Sequence, residues 1–154
     1  ANANNISLDK EVFGGLLGRG KVEGNDVFVF KPTTYMNLSG TAVIQVVHYF
    51  KIALEDIIVA FDDLALPPGA MRMRMSGSSG GQKGMQNIIE QLGSDKIKRI
   101  RIGIGEPRDN VVDYVLGKPL KEEAPLIDEA INNAVEALKM ALSKNFETAM
   151  SKFN

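Results

Sequence analysis

No cysteine, no tryptophan and a single histidine occur among the 154 residues. Without cysteine there is no disulfide, no thiolate nucleophile and no cysteine-ligated zinc, and a reducing compartment is compatible with the composition. The lone His48 lies in the middle of a helical pattern between Val47 and Tyr49, and a Ser-His-Asp triad built around it is not supported. No apolar run approaches the ~20 residues that a membrane span needs. The start, Ala1-Asn-Ala-Asn-Asn5, lacks the basic and apolar regions of a signal peptide and lacks an initiator methionine, so the chain is expected to be a piece of a longer product. Charge of one sign is also missing in excess. A formal net charge of −1 and a pI near 5.9 exclude a globally basic nucleic-acid binder, although a local cationic patch fits within a neutral total.

The residues that are present, 44% of them apolar, suffice for one domain spanning 1–154. The hydrophobic pattern alternates strands and helices. Asp26 to Lys31 predicts a strand, and Ser39 opens an amphipathic helix carrying Ala42, Val43, Val46, Val47 and Phe50. The continuous run Ile57 to Phe61 suits a parallel strand covered on both faces, and Pro67-Pro68-Gly69 then makes a turn. Ala70 to Met75 alternates strictly, predicting Met71, Met73 and Met75 in the core and Arg72 and Arg74 outside. After the flexible loop Ser76 to Gly84, Met85, Ile88, Ile89 and Leu92 mark a short helix stopped by Gly93. Ile97 to Ile104 predicts a strand with Arg99 and Arg101 on one face. A short strand over Val111 to Leu116 and a long helix with Pro125 in its first turn and Leu126, Ile127, Ala130, Ile131, Ala134, Val135, Leu138 and Leu142 on its apolar positions complete the pattern. The predicted architecture is α/β: a twisted, mixed, largely parallel sheet flanked by helices.

Two polar residues stand where an apolar strand gives way to a turn, the place at which α/β proteins mount their chemistry: Asn37 in KPTTYMNLSG (31–40) and Asp62 in FDDLALPPG (61–69). They are expected on one groove. Asp62 and Asp63 fit a metal ligand, a general base or a turn residue equally by type, but no further carboxylate or histidine stands nearby in sequence to complete a metal site. Between positions 70 and 101, Arg72, Arg74, Lys83, Lys96, Lys98, Arg99 and Arg101 face only Glu90 and Asp95. That density suits a phosphate clamp, and it also suits edge strands kept soluble by charge. The glycine-rich loop is not a Walker motif, since Gln82 and Gly84 flank Lys83. Gly103-Ile104-Gly105 lacks the remainder of a dinucleotide fingerprint, so no nucleotide cofactor is expected.

At KPTTYMNLSG, IIVAFDDLALPPG, the glycine-rich loop, RIRIGIG and VLGKP, and on into the last helix, the chain resembles bacterial-type peptidyl-tRNA hydrolases. The resemblance implies hydrolysis of the ester between peptide and tRNA, recycling tRNA during translation, with no cofactor and no metal. It implies that Asp62 orients a catalytic histidine, that Asn37 binds substrate with Tyr35 and Met36 beside it, and that Arg72, Arg74 and Arg101 grip tRNA phosphates. Gln82 and Lys83 stand where the family usually has histidine and asparagine; Gln82 retains hydrogen bonding to substrate without proton exchange near neutral pH, and Lys83 adds a charge for a phosphate. The family's first strand, and the segment carrying its general-base histidine, have no counterpart here. The chain is therefore expected to be an N-terminally truncated form, impaired in catalysis and open to self-association through unpaired strands, whereas the intact protein would be a monomer. The expected place is the cytoplasm or, alternatively, an organelle, with no membrane partner. A noncatalytic RNA-binding relative of the splicing-factor kind and an α/β module for an anionic small molecule are the other readings.

Overall fold

The computed structural model describes residues 1–106 and 123–154. The expected short strand at Val111 to Leu116 and the VLGKP motif lie outside the described residues. The chain divides into two compact units, one of Ala1–Val59 with Met75–Lys98 and one of Ala60–Arg74 with Arg99–Asn154.

In the first unit, β1 (Lys10–Val12), β2 (Gly15–Val22) and β3 (Asn25–Pro32) form an antiparallel meander joined by two-residue turns. Both turns place a left-handed non-glycine residue before a glycine, Phe13-Gly14 and Glu23-Gly24, as the twist of a tight hairpin demands. The strain at Phe13 is set against its ring packing on Tyr49 and Phe50, with centroids 5.3 and 6.4 Å away. α1 (Ser39–Tyr49) and α2 (Lys83–Leu92) pack together. They approach closely at Gly40, where a Cβ would run into the Asn87 carbonyl. Ile6, Leu17, Ala42, Val46, Met85 and Ile88 are among the buried apolar residues of this unit.

α1 ends in a Schellman motif: the Ile52 N–H reaches the Val47 carbonyl at 3.0 Å and the Lys51 N–H the His48 carbonyl at 3.3 Å. The motif needs a left-handed residue, and Lys51 supplies it with φ +53°. Replacing Lys51 by Gly is therefore expected to stabilise the protein by about 0.5–1 kcal/mol, seen as a rise of about 2–4 °C in thermal denaturation.

The sheet of β4 (Ile58–Asp63), β5 (Met71–Arg74) and β6 (Lys98–Gly103) has the order β4-β6-β5. β5 and β6 are antiparallel, pairing Met71 with Ile102, Arg72 with Arg101, Met73 with Ile100 and Arg74 with Arg99. α3 (Ala124–Ser143) and α4 (Phe146–Phe153) pack on each other and against β5. Ala130, Ala134 and Ala137 form the buried stripe of α3, small enough for close packing. Asn145 caps α4 by accepting the Thr148 N–H at 2.7 Å. At the outer edge of β5 the Asn154 amide pairs in both directions with the Met73 backbone, accepting its N–H at 2.7 Å and donating to its carbonyl at 3.0 Å.

The α/β architecture matches the sequence expectation, and the ladders β1–β2, β2–β3 and β5–β6 are antiparallel. Met75 lies beyond the end of β5 and is 36% exposed, not core. Leu126 and Ile131, expected in the core, are 44% and 43% exposed because the apolar positions of α3 extend around more of the helix than its buried alanine stripe occupies. Arg99, expected on a solvated cationic face, is buried.

Candidate functional site

The first unit presents a groove of about 430 Å³ lined by Asn37 and by Ser79, Gly81, Lys83, Gln86, Asn87 and Glu90. Asn37 sits in a short 3-10 turn, Met36–Leu38, directly ahead of α1. The turn is fastened by the Leu38 N–H on the Tyr35 carbonyl (2.8 Å) and by the Ser39 hydroxyl, which donates to the Met36 carbonyl at 2.8 Å. Tyr35 and Met36, 83% and 49% exposed, flank Asn37. Asn87, one turn beyond Lys83 on α2, accepts the Thr41 N–H at 3.2 Å and so ties α2 to the first turn of α1.

Gln82 is the N-cap of α2. Its Oε1 accepts the Met85 N–H at 2.7 Å and its Nε2 lies 3.4 Å from Met36 Sδ, which joins the cap to the segment carrying Asn37. The Gln86 N–H is taken by the Gln82 carbonyl, so the N–H groups of Lys83 and Gly84 are those without an intrahelical acceptor. Neither α1 nor α2 carries an acidic residue in its first turn. The exposed Lys83 thus adds a full charge to the positive end of a helix dipole.

The second unit holds Asp62, Asp63 and the arginines. Asp62 and Asp63, both half-buried, close β4, and alternation along the strand directs them to opposite faces. Asp63 Oδ2 accepts Arg101 Nη1 at 2.9 Å, and its Oδ1 accepts the Ala65 N–H at 2.8 Å. Arg72 and Arg74 are exposed on β5, directly across the ladder from Arg101 and Arg99; Arg72 Nη1 also donates to the Met71 carbonyl at 2.8 Å. Asn37, Asp62, Gln82 and Lys83 lie at or beside element ends, and Arg72 and Arg74 lie on β5 at the side of the sheet order, whereas Arg99 and Arg101 lie within the middle strand β6. Pattern alone missed Asn87, whose i+4 spacing from Lys83 was the available signal, and it missed the pairing of Asp63 with Arg101, which no local spacing discloses. His48 is exposed on the last turn of α1. Among the described residues no three His, Asp, Glu or Cys side chains are grouped to hold a metal.

Comparison with known proteins bears on both units at once. The sequence profile of the family described as peptidyl-tRNA hydrolase matches residues 1–154. A peptidyl-tRNA hydrolase of Clostridium acetobutylicum is 44% identical over 154 residues, covering 100% of this chain and 82% of the relative. One from Bacillus subtilis is 47% identical over 152 residues, covering 97% of this chain and 81% of the relative. Among solved structures, the peptidyl-tRNA hydrolase of Acinetobacter baumannii superimposes with a TM-score of 0.93 at 36% identity, covering 100% of this chain and 80% of that one. All three carry the name peptidyl-tRNA hydrolase. At this identity and coverage, the chain belongs to the peptidyl-tRNA hydrolase family.

Proposed function

We propose that this chain acts on peptidyl-tRNA and hydrolyses the ester joining the peptide to the 3′ end of the tRNA. The observation that carries this is identity of 44% with a peptidyl-tRNA hydrolase along every residue of the chain. In such a reaction water adds to the ester carbonyl, a base takes the proton, and the ribose hydroxyl leaves with a proton returned to it. By the family resemblance Asp62 has the role of orienting an imidazole that moves that proton, and the one histidine among these 154 residues, His48, is not that group. His48, exposed on α1, matches no motif position for that imidazole.

Asn37 directs its amide into the reaction as a hydrogen-bonding group near the ester, beside the groove that it lines. Tyr35 and Met36 offer exposed apolar surface to the peptide end. Lys83, with the free N–H groups at the start of α2, draws the anionic backbone of the terminal nucleotides, and Gln82 holds that helix end in place. Arg72, Arg74 and Arg101 grip tRNA phosphates. Among the described residues no helix is long and apolar enough to cross a membrane, and the proposed substrate places the chain wherever translation proceeds.

The test is to incubate the purified chain with an N-acylated aminoacyl-tRNA and follow both tRNA binding and ester cleavage. Salt-sensitive binding together with cleavage above the spontaneous rate is the expected result. Binding without any cleavage, even with the family's histidine-bearing segment joined to the chain, would move it to the RNA-binding class, and absence of both binding and cleavage would remove tRNA from the account altogether.

A further inference from the structure

The two oxygens of Asp63 are used for different purposes. Oδ1 accepts the Ala65 N–H at 2.8 Å, which fixes the carboxylate to its own turn, while Oδ2 accepts Arg101 Nη1 at 2.9 Å. The turn itself is stitched to the end of β6: the Asp63 carbonyl accepts from Ile104 (3.2 Å), the Leu66 carbonyl from Gly105 (2.9 Å) and the Ala70 carbonyl from Gly103 (2.9 Å). Gly103 permits this closeness, since a Cβ there would collide with the Pro67 carbonyl. The carboxylate is therefore anchored independently of Arg101.

Arg101 is less well placed by itself. It stands directly opposite Arg72 in the ladder, and like charges at facing positions repel. The Nε–H of its guanidinium is buried without a hydrogen-bond partner, so the Nη1–H bond to Asp63 is the one that directs the head group. The side chains of the Arg101–Asp63 pair are 25% and 15% exposed, enough shielding for the pair to persist and enough access for the guanidinium to meet a ligand.

We propose that Asp63 is a positioning residue for phosphate recognition: it holds the Arg101 guanidinium in place beside Arg72, ready for a tRNA phosphate. This rests on the proposal above that these arginines contact tRNA. The proposal predicts an effect opposite in sign to bare electrostatics. A carboxylate near a phosphate subsite repels the ligand, so removing its charge would strengthen binding if Asp63 did nothing else.

The experiment measures deacylated tRNA affinity for the unmodified chain, Asp63→Asn, Arg101→Gln and the double variant, alongside thermal denaturation. Asn retains an oxygen for the Ala65 N–H, so the turn and the melting temperature are expected to hold. Asp63→Asn is expected to weaken binding about five- to ten-fold, with no further loss when it is added to Arg101→Gln. If Arg101→Gln weakens binding while Asp63→Asn binds as well as or better than the unmodified chain, the role of Asp63 falls and the phosphate contact stands. If Arg101→Gln binds unchanged, both fall. Should Asp63→Asn not fold, Asp63→Glu keeps the charge but displaces it by one methylene; a two- to five-fold loss is then expected, and unchanged affinity overturns the proposal.

Discussion

Replacing Asp62 by Asn is expected to slow the cleavage of peptidyl-tRNA by about 10²- to 10⁴-fold in a form of the protein that also carries the histidine Asp62 orients, the range that positioned proton transfer commonly contributes. The substitution keeps the size of the side chain and exchanges one acceptor oxygen for an NH₂ donor. An imidazole held by an amide adopts the wrong tautomer or turns away, and it loses the negative charge that stabilises its protonated form. Asp62 is half-buried at the end of β4, where a strand fixes its backbone, so the loss belongs to kcat more than to substrate affinity. His48→Ala is the internal control, with a rate expected within about two-fold of the unmodified chain, as suits an exposed surface residue. Single-turnover cleavage of an N-acylated aminoacyl-tRNA by the three proteins decides the matter. Equal rates for Asp62→Asn and its parent, both carrying that histidine, would remove Asp62 from the chemistry.

The second large effect is expected at β5. Changing Arg72 and Arg74 together to Gln should lower tRNA affinity about ten- to hundred-fold near 0.1 M salt and flatten the dependence of log affinity on log salt by about two contacts' worth. Both side chains are exposed on the outer strand of the order β4-β6-β5, so the melting temperature should hardly move. The competing explanation for these arginines is that they keep an edge strand soluble. It makes the reverse forecast: unchanged tRNA affinity at every salt concentration, and a variant that associates with itself in light scattering.

What could be read from sequence follows how local the deciding physics is. α2 was legible at its C-terminal end, where Gly93 is a local stop signal, but its start was placed about two residues late, after a loop ending at Gly84, because Gln82 is not among the usual capping residue types. Met71 and Met73 were legible as core from alternation alone. β2 was not foreseen, since Gly15, Gly18 and Gly20 interrupt any apolar rhythm, and the strand exists through its ladders to β1 and β3. For Arg99 the alternation gave the correct face of β6 but not its cover, and a face read as solvated is buried there. The Asp63–Arg101 pair joins residues 38 positions apart, beyond the reach of any spacing rule, although both residues stood in motifs that drew attention for other reasons.

The side-chain amide of Asn154 does at Met73 what one residue of a fourth strand would do, offering an acceptor and a donor at the middle of β5. A strand from a second molecule therefore finds that position already taken. Association along this border requires α4 to lift away first, and local opening of a terminal helix costs far less than global unfolding. Clumping through β5 should accordingly follow the fraying of residues 146–154, and conditions that tighten this short helix should suppress it while the rest of the fold is unchanged.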